Sequence, residues 1–355
     1  MRVLSATEAV GPAWERTKQI LLQPFKLTTF LKLCLVGLLA SCGGFNFSSS
    51  NFHHQHGLPP VFQATMLMFS ALFGLIALVV SLVLFYAGSR MQFVLFEITA
   101  MRETTVAPKW QRYAPVTWRW IGLKLLYLCI AGAVVLISAI PLVIAIIHLI
   151  HSGADMHGFH AVLRVMLQLL MPIALVGVTM MVMGLIYQMI VDFVMPVMAL
   201  ENASISESVS RAAGNLRGDV GGVLAYVLMR FVLGFGVGMA TILAFALAVV
   251  AAGIPLVLIG AALFFGLHKA GITGHVLMGT GFGLEGLVGL GWLVFCCLAL
   301  NGFVAFFNRA YSMYFYGGRY PALGAILEPV YAGILQAEPP PVDPPMPEPP
   351  PTPFS

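Results

Sequence analysis

The chain has 355 residues, of which 59% are hydrophobic and only 9% are charged, and its net charge is +4. A soluble globular protein carries about 25% charged residues, so this composition excludes a soluble domain of such length. The sequence also lacks the alternating segments of roughly ten residues that form membrane barrels. The predicted fold class is therefore all-α, an integral membrane bundle.

Six apolar segments follow one another along the chain, each close to or above the roughly 20 residues that cross a bilayer core of about 30 Å. They predict six transmembrane helices, at approximately 27–43, 61–87, 119–150, 161–195, 220–252 and 283–317. A further apolar segment, 254–267, is short and has Pro255 near its start. We expect this segment to be a bent or re-entrant extension of the fifth helix.

The first span has an alternative interpretation. Residues 39–42 read LASC, which fits a lipoprotein cleavage box with Cys42 as the lipidated residue. A signal peptide begins with a short basic segment, whereas a patterned helix of about 25 residues precedes this span. We therefore expect the first helix to remain in the protein.

Basic residues predict the orientation through the positive-inside rule. With six spans and a cytoplasmic N-terminus, every Lys and Arg except Arg164 and Lys269 lies at the cytoplasmic side or in the cytoplasmic end of a helix. Seven spans would instead place Arg309 and Arg319 outside. The sequence therefore predicts a multi-pass protein of a bacterial inner membrane, with both termini in the cytoplasm.

Two stretches of the sequence resemble each other at a distance of 199 positions. Residues 5–18 read SATEAVGPAWERTK and residues 204–217 read SISESVSRAAGNLR, each with apolar residues on one helix face. A weaker copy lies at 106–120, and each copy precedes an apolar segment. We expect cytoplasmic-side interfacial amphipathic helices and three pseudo-repeated hairpin units.

Helix N-caps are also predicted in the two stronger copies. Ser5 or Thr7 in the first, and Ser204 or Ser206 in the second, have hydroxyls that can accept a backbone hydrogen bond. An acidic residue follows in each copy and suits the positive end of the helix dipole. This pattern predicts that each amphipathic helix begins close to these residues.

The ends of the even-numbered spans carry a family resemblance. GSRMQFVLFE at 88–97 is similar to FNRAYSMYFY at 307–316 and, more loosely, to IVDFVMPVMALE at 190–201. The PVMALE helix end, followed by ESVSRA and an apolar segment, resembles bacterial polytopic proteins of unassigned function, including glycerophosphodiester phosphodiesterase membrane domains. In that group the catalytic domain is a separate soluble one. The resemblance therefore implies a membrane module and no catalytic residue.

Histidines are concentrated on the predicted outer side. Two HxxH pairs have a spacing that places both rings on one helix face. The candidate metal ligands are His53, His54, His56, His148, His151, His157 and His160. Neutral imidazoles suit Zn²⁺, Cu²⁺ or Ni²⁺. Two alternatives are a pH-responsive outer face and a simple replacement of Lys and Arg, which outer loops avoid.

Charged residues inside membrane segments are functional candidates. Glu97, Asp192, Arg230 and Arg309 lie within about two helical turns of a cytoplasmic helix end. Asp192 is expected to pair with Arg309 or Arg90, and such a polar cluster would hold the even-numbered helices together and line a vestibule. Ion pairing or snorkelling near the interface explains the same residues without a function.

The remaining features bear on partners. Residues 337–355, AEPPPVDPPMPEPPPTPFS, predict a disordered proline-rich tail that can bind a protein partner, after a single transmembrane domain at 1–336. No nucleotide-binding or hydrolase motif occurs. We expect a non-enzymatic membrane scaffold or lipid-interacting module that contacts anionic lipid at its cytoplasmic face, without cofactor or nucleic acid. The alternative is a small-solute or metal-ion transporter.

Overall fold

The computed structural model describes residues 2–42, 60–151, 159–267 and 271–327, and every regular element in those ranges is helical. The predicted all-α class is confirmed. A π-helical turn, Ile190–Val194, joins the sixth helix to the seventh. The helices are α1 (Val10–Leu22), α2 (Leu27–Cys42), α3 (Pro60–Met101), α4 (Ala107–Arg112), α5 (Ala114–His151), α6 (Phe159–Met189), α7 (Met195–Glu201), α8 (Ile205–Arg217), α9 (Val220–Leu267), α10 (Gly271–Gly317) and α11 (Pro321–Leu327).

Among the described residues, five helical segments are long and apolar enough to cross a membrane. They are Leu67–Met101, Ala114–His151, Val165–Glu201, Val220–Leu267 and Gly274–Gly317. The chain is thus a multi-pass membrane protein. Six spans are not confirmed, because α2, at the place of the first predicted span, has only 16 residues. At about 1.5 Å per residue it rises about 24 Å, less than the bilayer core of about 30 Å.

Three long helices extend beyond their predicted spans. α3 continues past residue 87 to Met101, and α10 begins at Gly271 rather than at 283. α9 passes through Pro255 and ends at Leu267, so the segment 254–267 continues that helix. A proline removes one donor from the helix ladder, and the rest of a long apolar helix tolerates that loss.

The helices pack closely at one end, which we call the packed end. It comprises α1, α2, α4, α7, α8 and α11 with the adjoining ends of α3, α5, α6, α9 and α10. Large aromatic residues such as Trp120, Tyr226 and Tyr311 are fully buried there. In the most apolar stretch of each long helix, by contrast, at most 11% of the residues are buried. Those stretches present apolar side chains outward, as helices in a bilayer do.

Close backbone contact holds α2 against α10 within the packed end. A Cβ atom added to Gly302 would lie 2.5 Å from Cys34 Cα, and one added to Gly37 would lie 3.0 Å from Gly302 Cα. Gln92 of α3 donates through Nε2 to Ala40 O at 3.0 Å on the other side. α2 is therefore held between α3 and α10.

The two similar sequence stretches share a hydrogen bond from a backbone N–H to a serine hydroxyl, although only one of these serines caps a helix. Ser204 caps α8, and its Oγ accepts a hydrogen bond from the Glu207 N–H at 3.3 Å. In the turn before α1, Ser5 Oγ accepts one from the Glu8 N–H at 3.2 Å. Glu8 Oε2 also accepts a bond from the Ser5 N–H at 2.9 Å, as in a capping box. Ser204 is therefore confirmed as a helix cap, whereas α1 begins after Ala9 without a side-chain cap, and Ser5 caps only the turn before it.

The similarity extends to one buried face but not to the middle copy. Ala13 and Ala212, which correspond in the two stretches, are both buried against the packed end. α4, in the middle copy, has six residues, and its N-cap residue, Val106, makes no side-chain capping bond. Three repeated units are therefore not confirmed.

Candidate functional site

The predicted polar cluster is brought together in part. Asp192 Oδ1 lies 3.8 Å from Arg309 Nη1, and Asp192 Oδ2 lies 3.7 Å from Arg230 Nη2. Arg90 lies elsewhere: its Nε donates to Trp110 O at 2.6 Å, and its guanidinium lies over the Trp110 ring at 4.3 Å. The site therefore consists of one carboxylate and two guanidinium groups, from the π-helical turn, α9 and α10.

A proline explains the local backbone beside this carboxylate. In the π-helical turn the Met195 N–H donates to Ile190 O, five residues earlier. Pro196 has no N–H, so the next bond of that ladder, to Val191 O, cannot form. Arg309 Nη1 donates to this free carbonyl at 3.1 Å. Pro196 was the one sequence signal for this turn, and π-helical turns often mark functional sites.

Asp192 is 1% exposed, and both of its oxygens already accept hydrogen bonds. The Tyr226 hydroxyl donates to Oδ2 at 2.7 Å, and Gln188 Nε2 lies 3.1 Å from each oxygen. Neutral donors therefore satisfy the carboxylate at hydrogen-bond distance. The two arginines lie farther away and interact with it through charge.

Aromatic packing fixes the Tyr226 ring and hence its hydroxyl. The ring stacks on Tyr311 at a centroid distance of 5.3 Å and on Phe315 at 4.4 Å. Phe193 packs against it from the π-helical turn at 5.2 Å. All four rings are buried, which makes this group a rigid support for the carboxylate.

Each arginine has a different set of partners. Arg230 Nη1 lies 3.1 Å from Asn308 Oδ1 and 3.3 Å from Asn308 O, and it donates to both. Arg309 is 6% exposed, and its Nε has no acceptor within the described part of the chain. A buried guanidinium N–H without an acceptor is energetically costly. A ligand that accepts a hydrogen bond from Arg309 Nε would therefore stabilise the site.

The three charged residues line a cavity of about 280 Å³ between α2, α3, α6, α9 and α10. Gln92 and Asn308 add polar groups to its wall, and Asp192 is the one acidic residue among those that line it. Gln92 is held in place, because its Oε1 accepts a hydrogen bond from Trp120 Nε1 at 2.9 Å. The cavity therefore has fixed polar walls and more positive than negative charge.

Arg16 and Lys124 are two further buried cations, and neither was among the predicted site residues. Arg16 Nε donates to Thr99 O at 2.9 Å and its Nη2 donates to Ala100 O, at the C-terminal end of α3. Burial lowers the pKa of Arg16 to about 10. The buried face of α1 includes Ala13, Arg16, Thr17, Ile20 and Leu21. The apolar spacing 13, 17, 20 and 21 brackets position 16 and is the signal that could have found this residue.

Lys124 Nζ donates a hydrogen bond to Ser89 Oγ at 3.0 Å. Its ammonium group also lies over the Trp120 ring, 5.4 Å from the centroid.

Glu97, another predicted candidate, is buried near Arg112 Nη1 at 3.3 Å and Lys109 Nζ at 3.8 Å. It therefore belongs to the α3–α4 contact and not to the cavity.

The histidine site lies mostly beyond what the structure describes. His148 and His151 are in the last turn of α5, and His151 Nδ1 lies 3.1 Å from Ile147 O. Outside the described residues are His53, His54, His56, His157 and the side chain of His160. Within the described ranges, no three His, Cys, Asp or Glu side chains are grouped closely enough to hold a metal ion. A metal site at these histidines stays a prediction.

Comparison with known proteins gives a family and no activity. No curated protein and no solved structure matches the chain. The resemblance to glycerophosphodiester phosphodiesterase membrane domains stays a prediction. A family model covers residues 4–326, which include α1 to α10, all of α11 except its last residue, and the whole cavity. The chain therefore belongs to the family of unknown function DUF7544.

Proposed function

We propose that this protein is a lipid-interacting membrane module whose packed end binds the anionic surface of a bilayer. The observation that carries the proposal is a set of exposed basic residues at the packed end without an ion pair among the described residues. They are Lys26, Lys32, Arg102, Arg119 and Arg217. Basic groups near an anionic leaflet contribute about 1 kcal/mol each to its binding.

Other exposed bases at the packed end differ in having acidic partners. Arg2 Nη2 lies 2.6 Å from Glu8 Oε1, and Arg211 Nη2 lies 2.5 Å from Glu207 Oε1. Glu201 also pairs with Arg211, so acidic side chains offset the charge of both bases, whereas the charge of the five unpaired residues is not offset. Their charge is available to lipid phosphates.

Exposed aromatic residues at the same end support the proposal. Trp14, Phe25 and Trp118 are 49%, 58% and 66% exposed. Aromatic rings of this kind sit at the headgroup level of membrane proteins. The proposal places the packed end and both termini at the cytoplasmic face of a bacterial inner membrane, where residues 337–355 would be free to bind a protein partner.

Lipid-dependent stability tests the proposal. Purified protein in a neutral detergent is titrated with phosphatidylglycerol or phosphatidylcholine, and its melting temperature is recorded. Phosphatidylglycerol should raise the melting temperature more, and changing all five unpaired bases to Gln should remove the difference. A matched control exchanges Lys for Arg and Arg for Lys at the same five positions and should keep the preference. Equal responses of the unmodified protein to both lipids would contradict the proposal.

Small-solute transport is a second candidate, favoured by the cavity between α2, α3, α6, α9 and α10. Uptake into proteoliposomes should then be lost in Asp192→Asn while the protein remains folded. Metal-ion transport depends on the histidine prediction. Zn²⁺ titration of the protein and of a variant with His148, His151, His157 and His160 changed to Ala tests it, and equal, weak binding by both would reject it.

A further inference from the structure

We propose that the cavity beside Arg309 is a binding site for one oxyanion of the phosphate type, offered either as free phosphate or as a lipid headgroup. This inference is independent of the lipid-surface proposal, because its residues lie inside the packed end and not on its surface. Arg230 and Arg309 are both buried or nearly so, and Asp192 is the one acidic residue among those lining the cavity. One positive charge is left over.

A buried charge without a counter-charge is strongly unfavourable, because the surrounding medium screens it poorly. Asp192 cannot neutralise both guanidinium groups. Its oxygens receive their short hydrogen bonds from Tyr226 and Gln188, and the arginine nitrogens lie 3.7 and 3.8 Å away. An anion in the cavity would supply the missing negative charge.

An unused donor atom of Arg309 also favours an anionic ligand. Arg309 Nε has no acceptor in the described part of the chain, although the residue is 94% buried and lines the cavity. A guanidinium group presents its N–H donors as a planar fork, which matches the spacing of two oxygens on a phosphate or carboxylate. Arg309 therefore has the charge and the free donor that an oxyanion needs.

The size of the cavity limits the ligand. Its volume of about 280 Å³ lies just below the range of about 300–1,000 Å³ that is usual for small-molecule sites. A phosphate group with a few waters fits such a volume, and the acyl chains of a lipid do not. A lipid would therefore place only its headgroup in the cavity. A metal cation is not favoured, because it would meet two guanidinium groups.

Phosphate-dependent stability of the full-length protein provides the first test. The protein is purified in a neutral detergent, and inorganic phosphate, dihexanoyl phosphatidic acid and sodium chloride of equal ionic strength are compared. Phosphate or phosphatidic acid should raise the melting temperature above the chloride reference. A response to both probes identifies the free anion as sufficient, and a response to phosphatidic acid alone identifies a lipid headgroup. No response to either probe would overturn the inference.

Variants locate the effect at the cavity. Arg309→Gln should abolish the phosphate response, and Arg211→Gln, which changes an exposed arginine, should keep it. Asp192→Asn should bind phosphate more tightly than the unmodified protein, because it removes the one acid among the lining residues. A merely structural role of these residues would not produce changes of opposite sign. An unchanged response in Arg309→Gln, or weaker binding by folded Asp192→Asn, would contradict the inference.

A direct measurement keeps the inference testable if Arg309→Gln does not fold. Equilibrium dialysis with labelled phosphate should find one bound phosphate per chain in the unmodified protein. Arg309→Lys keeps the charge but lacks the Nε donor, so its affinity should fall about tenfold or more. Equal affinity in Arg309→Lys, or a failure of the unmodified protein to bind phosphate, would reject the assignment.

Discussion

Arg319 Nη2 lies 2.5 Å from Asp219 Oδ2 and joins the end of α10 to the connection between α8 and α9. The same guanidinium donates through Nη1 to Leu4 O at 3.2 Å and to Phe315 O at 2.7 Å. It also lies over the Phe315 ring, with Cζ 3.8 Å from the centroid. One side chain therefore links the segment before α1, the connection between α8 and α9, and the end of α10.

This link predicts a pH-dependent stability. Hydrogen bonds from Arg319 and from the Gly222 N–H lower the pKa of Asp219 below its ordinary value of about 3.9. A lowered carboxyl pKa stabilises the fold at neutral pH, and this contribution disappears as the pH falls through the folded-state pKa. Asp219→Asn should therefore lower the melting temperature at pH 7, and the difference should vanish in strong acid.

Melting curves of both proteins between pH 7 and pH 2, in steps of about half a unit, would measure this loss. Glu15→Gln is the matched control, because Glu15 is exposed and has no ion pair among the described residues. It should show little difference from the unmodified protein at any pH. A constant deficit of Asp219→Asn across the whole range would contradict the role of its charge.

Arg16 predicts a second effect on stability, since it binds the carbonyls that end α3. Arg16→Ala should cost about 2 kcal/mol, in the range of hydrogen bonds made by charged groups. Denaturant titration in detergent would measure it. Lys18→Ala removes a charge from the same helix at a position without a described hydrogen bond, and it should cost much less. Equal losses in the two variants would show that Arg16 contributes only general charge.

The long helices could be predicted from the sequence because their apolar segments need no tertiary contact to be recognised. The pairing of Asp192 with Arg309 could also be predicted, because the apolar segments place both residues near the predicted cytoplasmic ends of long helices. Arg230 was not expected as their partner. Its place depends on the register of α9 against α10, which is set by contacts such as Trp292 Nε1 to Ala248 O at 2.9 Å.

The packed end could not be predicted, and Arg90 shows why. Its sequence context resembles that of Arg309, yet each side chain donates to a different carbonyl, Trp110 O or Val191 O. Which carbonyl is free depends on local breaks in neighbouring helices, such as the one that Pro196 causes. Sequence similarity between segments does not contain that information.

Gly302 predicts a steric effect at the crossing of α2 and α10. Its added Cβ would meet the Cys34 backbone at 2.5 Å, so Gly302→Ala must move α2 and should cost about 1–3 kcal/mol. Gly291→Ala on the same helix has open space within 4 Å and should be neutral or slightly stabilising. Thermal unfolding of the two variants in the same detergent would compare them. An equally stable Gly302→Ala would refute the close crossing.

The two corresponding serines, which lie 199 positions apart, predict stability effects of different size. Ser5→Ala and Ser204→Ala each remove a hydroxyl that accepts a backbone N–H at 3.2 or 3.3 Å. Ser204→Ala should therefore cost about 0.5–2 kcal/mol, the usual loss for an N-cap serine, and Ser5→Ala, in the turn before α1, should cost less.

Ser206→Ala is the matched control, because this exposed serine is the second residue of α8 and has no described capping bond. Denaturant titration of the three variants, together with the Ser5→Ala, Ser204→Ala double variant, would test the assignment. The two hydrogen bonds lie in separate elements, the turn before α1 and the start of α8, so their losses should add in the double variant. A cost at Ser206 as large as that at Ser204 would show that hydroxyl loss in general, and not the cap, destabilises α8.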